Sequence, residues 1–313
     1  MERVIIALGG NAIKEPEARG TAEEQRAAIE RSCAEIAKIV AAGYRVVLTH
    51  GNGPQVGNLL IQQEAGTAFV PPMPLDICGA MTQGQIGYLI QQKLVEELRA
   101  HRIATPVATV VTQVLVDEDD PAFQNPQKPI GPFYDEERAL ELMENGYVMK
   151  RVANGERGWR RVVSSPEPKE IIELEAIRAL VAAEQIVIAC GGGGIPVIRK
   201  DGRLKGIAAV IDKDLASALL AIALGAEIFL NLTDVEHVAL NYGTPEQVNL
   251  NHLSLAEAKR YLSEGHFPPG SMGPKVEAAI RFLEGGGRRA IITSLEGAHR
   301  ALWGLVGTEI SRS

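Results

Sequence analysis

Short runs of Val, Ile, Leu and Ala recur along the chain, each stopping at glycine or at a polar turn. VIIAL at 4–8 stops at Gly9-Gly10, and RVVLT at 45–49 stops at His50-Gly51-Asn52-Gly53. TPVATVVTQVLV at 105–116, QIVIA at 185–189, EIFLNL at 227–232 and AIITS at 290–294 complete the set. Continuous apolar runs of this length suit strands covered on both faces, since a strand with one wet face would alternate. The stretches between them read as helices. Thr21-x-x-Glu24 is a capping box, after which Ile29, Cys33, Ile36, Ala37 and Val40 fall on one face and Gly43 supplies a stop. Ser254-x-x-Glu257 repeats the box, and Pro54 suits a first helical turn. Strand and helix alternating in this way predict an α/β fold, a mostly parallel open sheet with helices on both faces.

One stretch breaks the rhythm. From Asp117 to about Pro168 there are six prolines, four of them between Pro121 and Pro132, together with the acidic run DEDD. No long strand is legible there. The stretch reads as an excursion from the main sheet, with a short helix from Asp135 to Glu144 and with Phe123, Phe133, Tyr147 and Trp159 available to pack.

Composition narrows the classes. At 313 residues with 46 % apolar and 23 % charged residues, the chain buries a sizeable core, which excludes disorder as its main theme. A net charge of −7 gives it no general attraction for nucleic acid or an anionic membrane, while leaving room for a local basic patch. The three cysteines, Cys33, Cys78 and Cys190, never form CxxC and fit a reducing compartment better than a disulfide framework. The run at 4–8 is too short for a secretory signal, and the apolar stretch Leu215 to Ala226 is too short to cross a bilayer. The expectation is a soluble, cytoplasmic protein.

Candidate chemistry sits at the glycine loops. Gly9-Gly10-Asn11, Gly51-Asn52-Gly53 and Gly191 to Gly194 each follow an apolar strand, where glycine lets backbone N–H groups approach an anion. One such loop is usually a tight turn; three at three strand ends point to a site. No GxxxxGK[ST] occurs, and Gly51-x-Gly53-x-x-x-Gly57 misses the dinucleotide fingerprint by one residue. Lys213, wedged between Asp212 and Asp214, and Lys275, after Gly270-Ser271-Met272-Gly273-Pro274, both sit at helix starts, where a cation is disfavoured. Two such lysines beside anion-accepting loops suggest compensation for the charge of a transferred phosphoryl group. Lys128, among the prolines, would alone be read as solvent-facing. The histidines show no metal-ligand spacing, and His50 is as readily structural as ligand-contacting.

Taken in order, Gly9-Gly10-Asn11-Ala12, His50 to Asn58 (HGNGPQVGN), Lys128 to Phe133 (KPIGPF), Val210 to Asp214 (VIDKD) and Gly270 to Lys275 (GSMGPK) resemble the carbamate kinases of the amino-acid-kinase superfamily across essentially the whole chain. The Lys128 block is the most discriminating, because related acetylglutamate, aspartate and UMP kinases share the glycine-loop plan and lack it. The chain departs from that pattern at Ser164 and at Ala239-Leu240. The resemblance implies a homodimer that interconverts ATP and carbamate with ADP and carbamoyl phosphate, with Mg²⁺ bridging phosphates and no protein metal ligands of its own. It implies a carbamate-side half at 1–184, containing a protruding subdomain at about 117–168, and a nucleotide-side half at 185–313. It places Gly10, Asn11, Gly51, Asn52 and Gly53 around carbamate and the transferred group. Lys213 and Lys275 would flank that group, Asp214 would orient the lysines, and Lys128 would close over the carbamate. Thr233, Asp234, Val235, Tyr242, Met272 and Gly273 fall on the nucleotide side. The competing readings are a sibling kinase with a larger carboxylate substrate, a nucleotide-binding regulatory protein and, against the missing fingerprint, a dehydrogenase.

Overall fold

The computed structural model describes residues 1–13, 18–152 and 158–312, the side chain of Asn11 excepted. Its centre is an eight-stranded sheet in the order His252–Ser254, Thr308–Ser311, Arg289–Ser294, Ile228–Thr233, Arg3–Leu8, Arg45–His50, Ile186–Ile188, Val107–Thr109. From Arg289–Ser294 to Val107–Thr109 all neighbours run parallel, while Thr308–Ser311 runs antiparallel to Arg289–Ser294. Ile186–Ile188 thus lies between two strands that precede it in the chain.

The continuous apolar runs have the cause expected of them. Successive side chains of a strand point to opposite faces. Ile5, Val47 and Phe229 enter a core shared with the helices Lys213–Ala223 and Met272–Glu284, whereas Ile6, Leu48 and Leu230 enter one shared with Ala22–Ala41 and Leu75–Ala100. Both capping boxes form, at Thr21 with Glu24 and at Ser254 with Glu257. No helix among the described residues is long and apolar enough to cross a membrane.

Two sequence expectations need correction. The run at 105–116 is not one strand: Val107–Thr109 closes the main sheet, and Gln113–Leu115 joins a second sheet with Ile195–Lys200 and Glu170–Ile171. At the break, the amide of buried Gln83 accepts from Thr112 N–H (2.8 Å) and donates to Thr112 C=O (3.0 Å), which also accepts from Ile195 N–H (2.8 Å). The excursion does contain a long strand, Lys128–Tyr134, seven residues, in a three-stranded antiparallel sheet with Trp159–Val163 and Met149–Arg151. It is an edge strand with an irregular register between Ile130 and Tyr134, and such positions tolerate the missing N–H of Pro129 and Pro132. The expected helix spans Glu136–Glu144, capped by Asp135, and packs Ala139 and Leu142 over Tyr134, Tyr147 and Trp159. Residues 153–157 of the excursion lie outside the described residues.

The excursion docks beside the helix Gly53–Gly66. Ile130 is buried with Val56, Leu60, Leu75, Cys78 and Val210. The backbones approach so closely that a Cβ on Gly57 would lie 2.0 Å from Gly131 Cα. That contact carries Lys128 to the carboxyl end of the main sheet.

Candidate active site

Ligands of open parallel sheets bind beyond the carboxyl ends of the strands. There the loops at Gly9-Gly10, Gly51–Gly53, Thr233-Asp234 and Ser294 follow four adjacent strands. Three helices begin at the same place: Gly53–Gly66, Lys213–Ala223 and Met272–Glu284. Their positive dipole ends favour an anion. A cavity of about 370 Å³ is lined by Gly9, Gly10, Lys213, Thr233, Asp234, Lys275 and Ser294, with Arg31 and Glu296. A smaller one of about 100 Å³ shares Thr233 and Asp234 and is completed by Val235, His237, Ala239, Tyr242, Phe267, Pro268, Ser271 and Met272.

The charges are arranged around one carboxylate. Asp214 Oδ1 accepts from Lys213 Nζ at 2.5 Å and from Asn231 Nδ2 at 2.8 Å, while Oδ2 accepts from Lys275 Nζ at 2.9 Å. Asp214 is buried, at 5 % exposure, and the lysines are largely covered, at 12 % and 13 %. Burial alone would raise the Asp214 pKa, but the two lysines together hold it well below the usual carboxylate range. Lys213 is pushed down to about 8, first by burial and further by Lys275, with Asp214 only partly offsetting. Lys275 is raised, because its carboxylate neighbours, Asp214 foremost, outweigh its burial. Two cations on one anion leave a net positive charge facing the cavity.

A second pair forms at the start of the same helix. Asp212 caps the helix Lys213–Ala223 by accepting Asp214 N–H at 2.8 Å, and its Oδ2 accepts from Lys128 Nζ at 2.6 Å. The lysine that reads as solvent-facing is therefore held against the helix that carries Lys213.

The remaining expected residues divide. Thr233, Asp234, Val235, Tyr242 and Met272 line the smaller cavity. Gly273 does not; it is buried behind, its N–H donating to Pro268 C=O. Gly10 is exposed at the larger cavity. A Cβ on Gly51 would meet Lys213 Cδ at 3.4 Å, which places this loop against the lysine. Gly53 opens its helix. The Asn52 side chain is buried and donates to Thr82 Oγ1, so it faces the protein rather than the cavity. The Asn11 side chain lies outside the described residues.

The third glycine loop is a correction. Gly191, Gly192 and Gly193 are buried, and Cβ atoms there would collide with His50, Asn52 and Ile211 respectively. This loop packs against the loop at Gly51–Gly53 and against Ile211, and lines neither cavity. His50 serves the same packing. It is 1 % exposed, pairs through Nδ1 with Gly51 C=O, and burial lowers its pKa to about 4, which keeps it neutral.

Sequence reasoning missed Asp212 and Asn231, which organise the lysines, and the buried Thr49–Ser217 hydroxyl pair that ties the strand Arg45–His50 to the helix Lys213–Ala223. The acids around Lys213 were legible as a helix start; their second partners were not.

Over residues 2–294 the chain matches the model of the amino acid kinase family, and it belongs to that family. Within it, the chain groups along its whole length with carbamate kinases. The carbamate kinase of Thermococcus kodakarensis is 55 % identical, with 100 % of both chains covered. That of Pyrococcus furiosus is 53 % identical over 99 % of each. The solved carbamate kinase of Giardia lamblia bound to AMP-PNP superposes with a TM-score of 0.91 at 45 % identity, covering 99 % of this chain and 98 % of the other.

Proposed function

We propose that this chain is a carbamate kinase that moves a phosphoryl group reversibly between ATP and carbamate, giving ADP and carbamoyl phosphate. The observation that carries the reading is the pair Lys213 and Lys275 on the single carboxylate of Asp214, both lysines lining the larger cavity, which shares Thr233 and Asp234 with the smaller one. Its likeness to carbamate kinases supplies the acceptor.

A carbamate oxygen attacks the γ-phosphorus, one P–O bond forms, and the bond to the β,γ-bridging oxygen breaks with its electrons leaving on ADP. Carbamate is already an anion, so no proton has to be removed and the transfer needs no general base. The work is to bring two anions together and to spread charge over the transferring group. In this reading Lys213 and Lys275 flank that group, and Asp214 fixes their direction without touching it. The backbones of Gly10, Asn11, Gly51, Asn52 and Gly53 line the carbamate and phosphoryl positions, and Lys128 covers the carbamate. The apolar cavity at Val235, Tyr242 and Met272 takes the nucleoside, and Thr233 and Asp234 stand where phosphates enter the larger cavity.

Mg²⁺ suits this donor set as a partner of the nucleotide. Asp212 and Asp214 are spent on lysines, and the described residues hold no cluster of His, Cys, Asp or Glu of metal-binding size, so phosphate oxygens would be its main ligands. When bound it neutralises phosphate charge. The amino-terminal half would serve carbamate and the carboxyl-terminal half the nucleotide. We also assign a homodimer in the cytoplasm: Ile77, Met81 and Tyr88 are exposed along one face of Leu75–Ala100, a surface suited to a second copy, and all three cysteines are free.

The test is ATP formation from ADP, Mg²⁺ and carbamoyl phosphate, with acetyl phosphate as control donor. Turnover with carbamoyl phosphate alone is the expected result; turnover with acetyl phosphate alone, or with neither, would overturn the acceptor.

A further inference from the structure

Asp212 does two things at once. Its Oδ1 accepts Asp214 N–H as the cap of the helix Lys213–Ala223, and its Oδ2 takes Lys128 Nζ at 2.6 Å. The Asp212 side chain is 12 % exposed, whereas that of Lys128 is 27 % exposed. An ammonium group carries three donors, so the bond to Asp212 leaves two for a ligand. A free lysine on a protruding edge strand would sweep its four-carbon stem through solvent, and ordering it on binding would cost side-chain entropy. The tether removes that cost beforehand. Two further contacts fix the geometry of the pair: Val210 N–H donates to Ser164 C=O at 3.0 Å, and Ile130 is buried against Val210. The base of the excursion is thereby held two residues upstream of Asp212.

We propose that Asp212 is a positioning residue for the acceptor: it holds Lys128 at the start of the helix that bears Lys213, aimed at the acceptor, and couples the protruding subdomain to that helix. Asp212 touches no substrate and acts through Lys128. The proposal rests on the carbamate kinase reading for the identity of the acceptor, and on geometry alone for the tether.

Asp212→Asn and Asp212→Ser test it, because each keeps a side-chain oxygen for the cap and removes the charge that holds Lys128. The expected result is a KM for carbamoyl phosphate raised about fivefold in either variant, with kcat and the KM for ADP within about twofold of wild type. Placed in a Lys128→Ala background, the same substitutions should add almost nothing. An equal rise in the KM for ADP, or an undiminished effect without Lys128, would mean that Asp212 only caps its helix, and would overturn the proposal. Acylation of Lys128 by acetic anhydride, followed by peptide mass spectrometry, reads the tether without catalysis. It should be several-fold faster in both variants than in wild type, and unchanged acylation would overturn the tether. No ATP from the wild-type protein, together with this acceleration in the variants, would instead overturn the reaction and leave the tether standing.

Discussion

The lysine cluster around Asp214 and the tether at Lys128 use the same chemistry, an ammonium on a carboxylate, in opposite surroundings. Asp214 and its two lysines are covered to 5 %, 12 % and 13 % exposure, on helices packed into the core. Lys128 is 27 % exposed, on an edge strand whose docking rests on a small apolar cluster. In the cluster, low dielectric strengthens every interaction and makes every lost partner expensive. At Lys128, water competes, and the pair contributes direction more than stability. A charge that stabilises a transition state belongs in the first setting, and a group that has to admit and release a substrate belongs in the second.

The harshest test of that contrast is Asp214→Ala. It would leave Lys213 and Lys275 buried without their carboxylate, and removing one partner of a buried pair typically costs ~3–5 kcal/mol. Denaturant unfolding should show a loss of that order together with loss of turnover. Unaltered stability would mean that the cluster is wetter than its burial implies. Next comes Lys213→Ala, which keeps Asp214 paired with Lys275. Turnover should fall ~10²–10³-fold, the scale for removing one charge-stabilising donor, with the midpoint of unfolding nearly unchanged. Near-normal turnover would remove Lys213 from the reaction. Lys128→Ala should be milder and selective. Hydrogen bonds to charged groups contribute roughly 1.5–3 kcal/mol, so the KM for carbamoyl phosphate should rise about ten- to a hundredfold while that for ADP holds. An equal effect on both substrates would show that the excursion does not cover the acceptor.

The same contrast explains what was legible in the sequence. Residues that serve a local backbone need announce themselves: the two capping boxes, Pro54, and the lysines placed against the helix dipole at 213 and 275. Doubly covered strands were legible because both faces are apolar. What failed depended on partners far along the chain. Gln83 meets the break in the run at 105–116 from 29 residues upstream of Thr112, and nothing near Val110 signals it. The strand Lys128–Tyr134 was hidden because proline is weighed as a breaker, and its tolerance at an edge depends on which strand is the neighbour. Gly191–Gly194 looked like an anion loop and is a packing loop, since glycine permits close approach by a ligand and by His50 or Asn52 equally well. Asp212 was legible as a cap, but its second partner lies 84 residues away.

The smallest effect is a matter of sign. Burial and the neighbouring Lys275 push Lys213 down to about 8 from its ordinary 10.5. Between those values an unfolded chain binds a proton at this lysine that the folded one has released. Stability without ligand therefore gains from Lys213 as pH rises from about 8 toward 10.5, and that gain is absent below 8. Activity should move the other way, because the role proposed for Lys213 needs its ammonium form. kcat/KM, which reports the free enzyme, should stand near half its plateau at about pH 8 and keep falling above it. Bound phosphate favours the charged lysine, so the corresponding fall in kcat should appear at higher pH. Lys128 stands outside the buried cluster, so Lys128→Ala should leave the position of the kcat/KM fall unmoved. A fall displaced in that variant would mean that Lys128 and the cluster titrate as one unit, and the division between buried catalysis and exposed capture would fail.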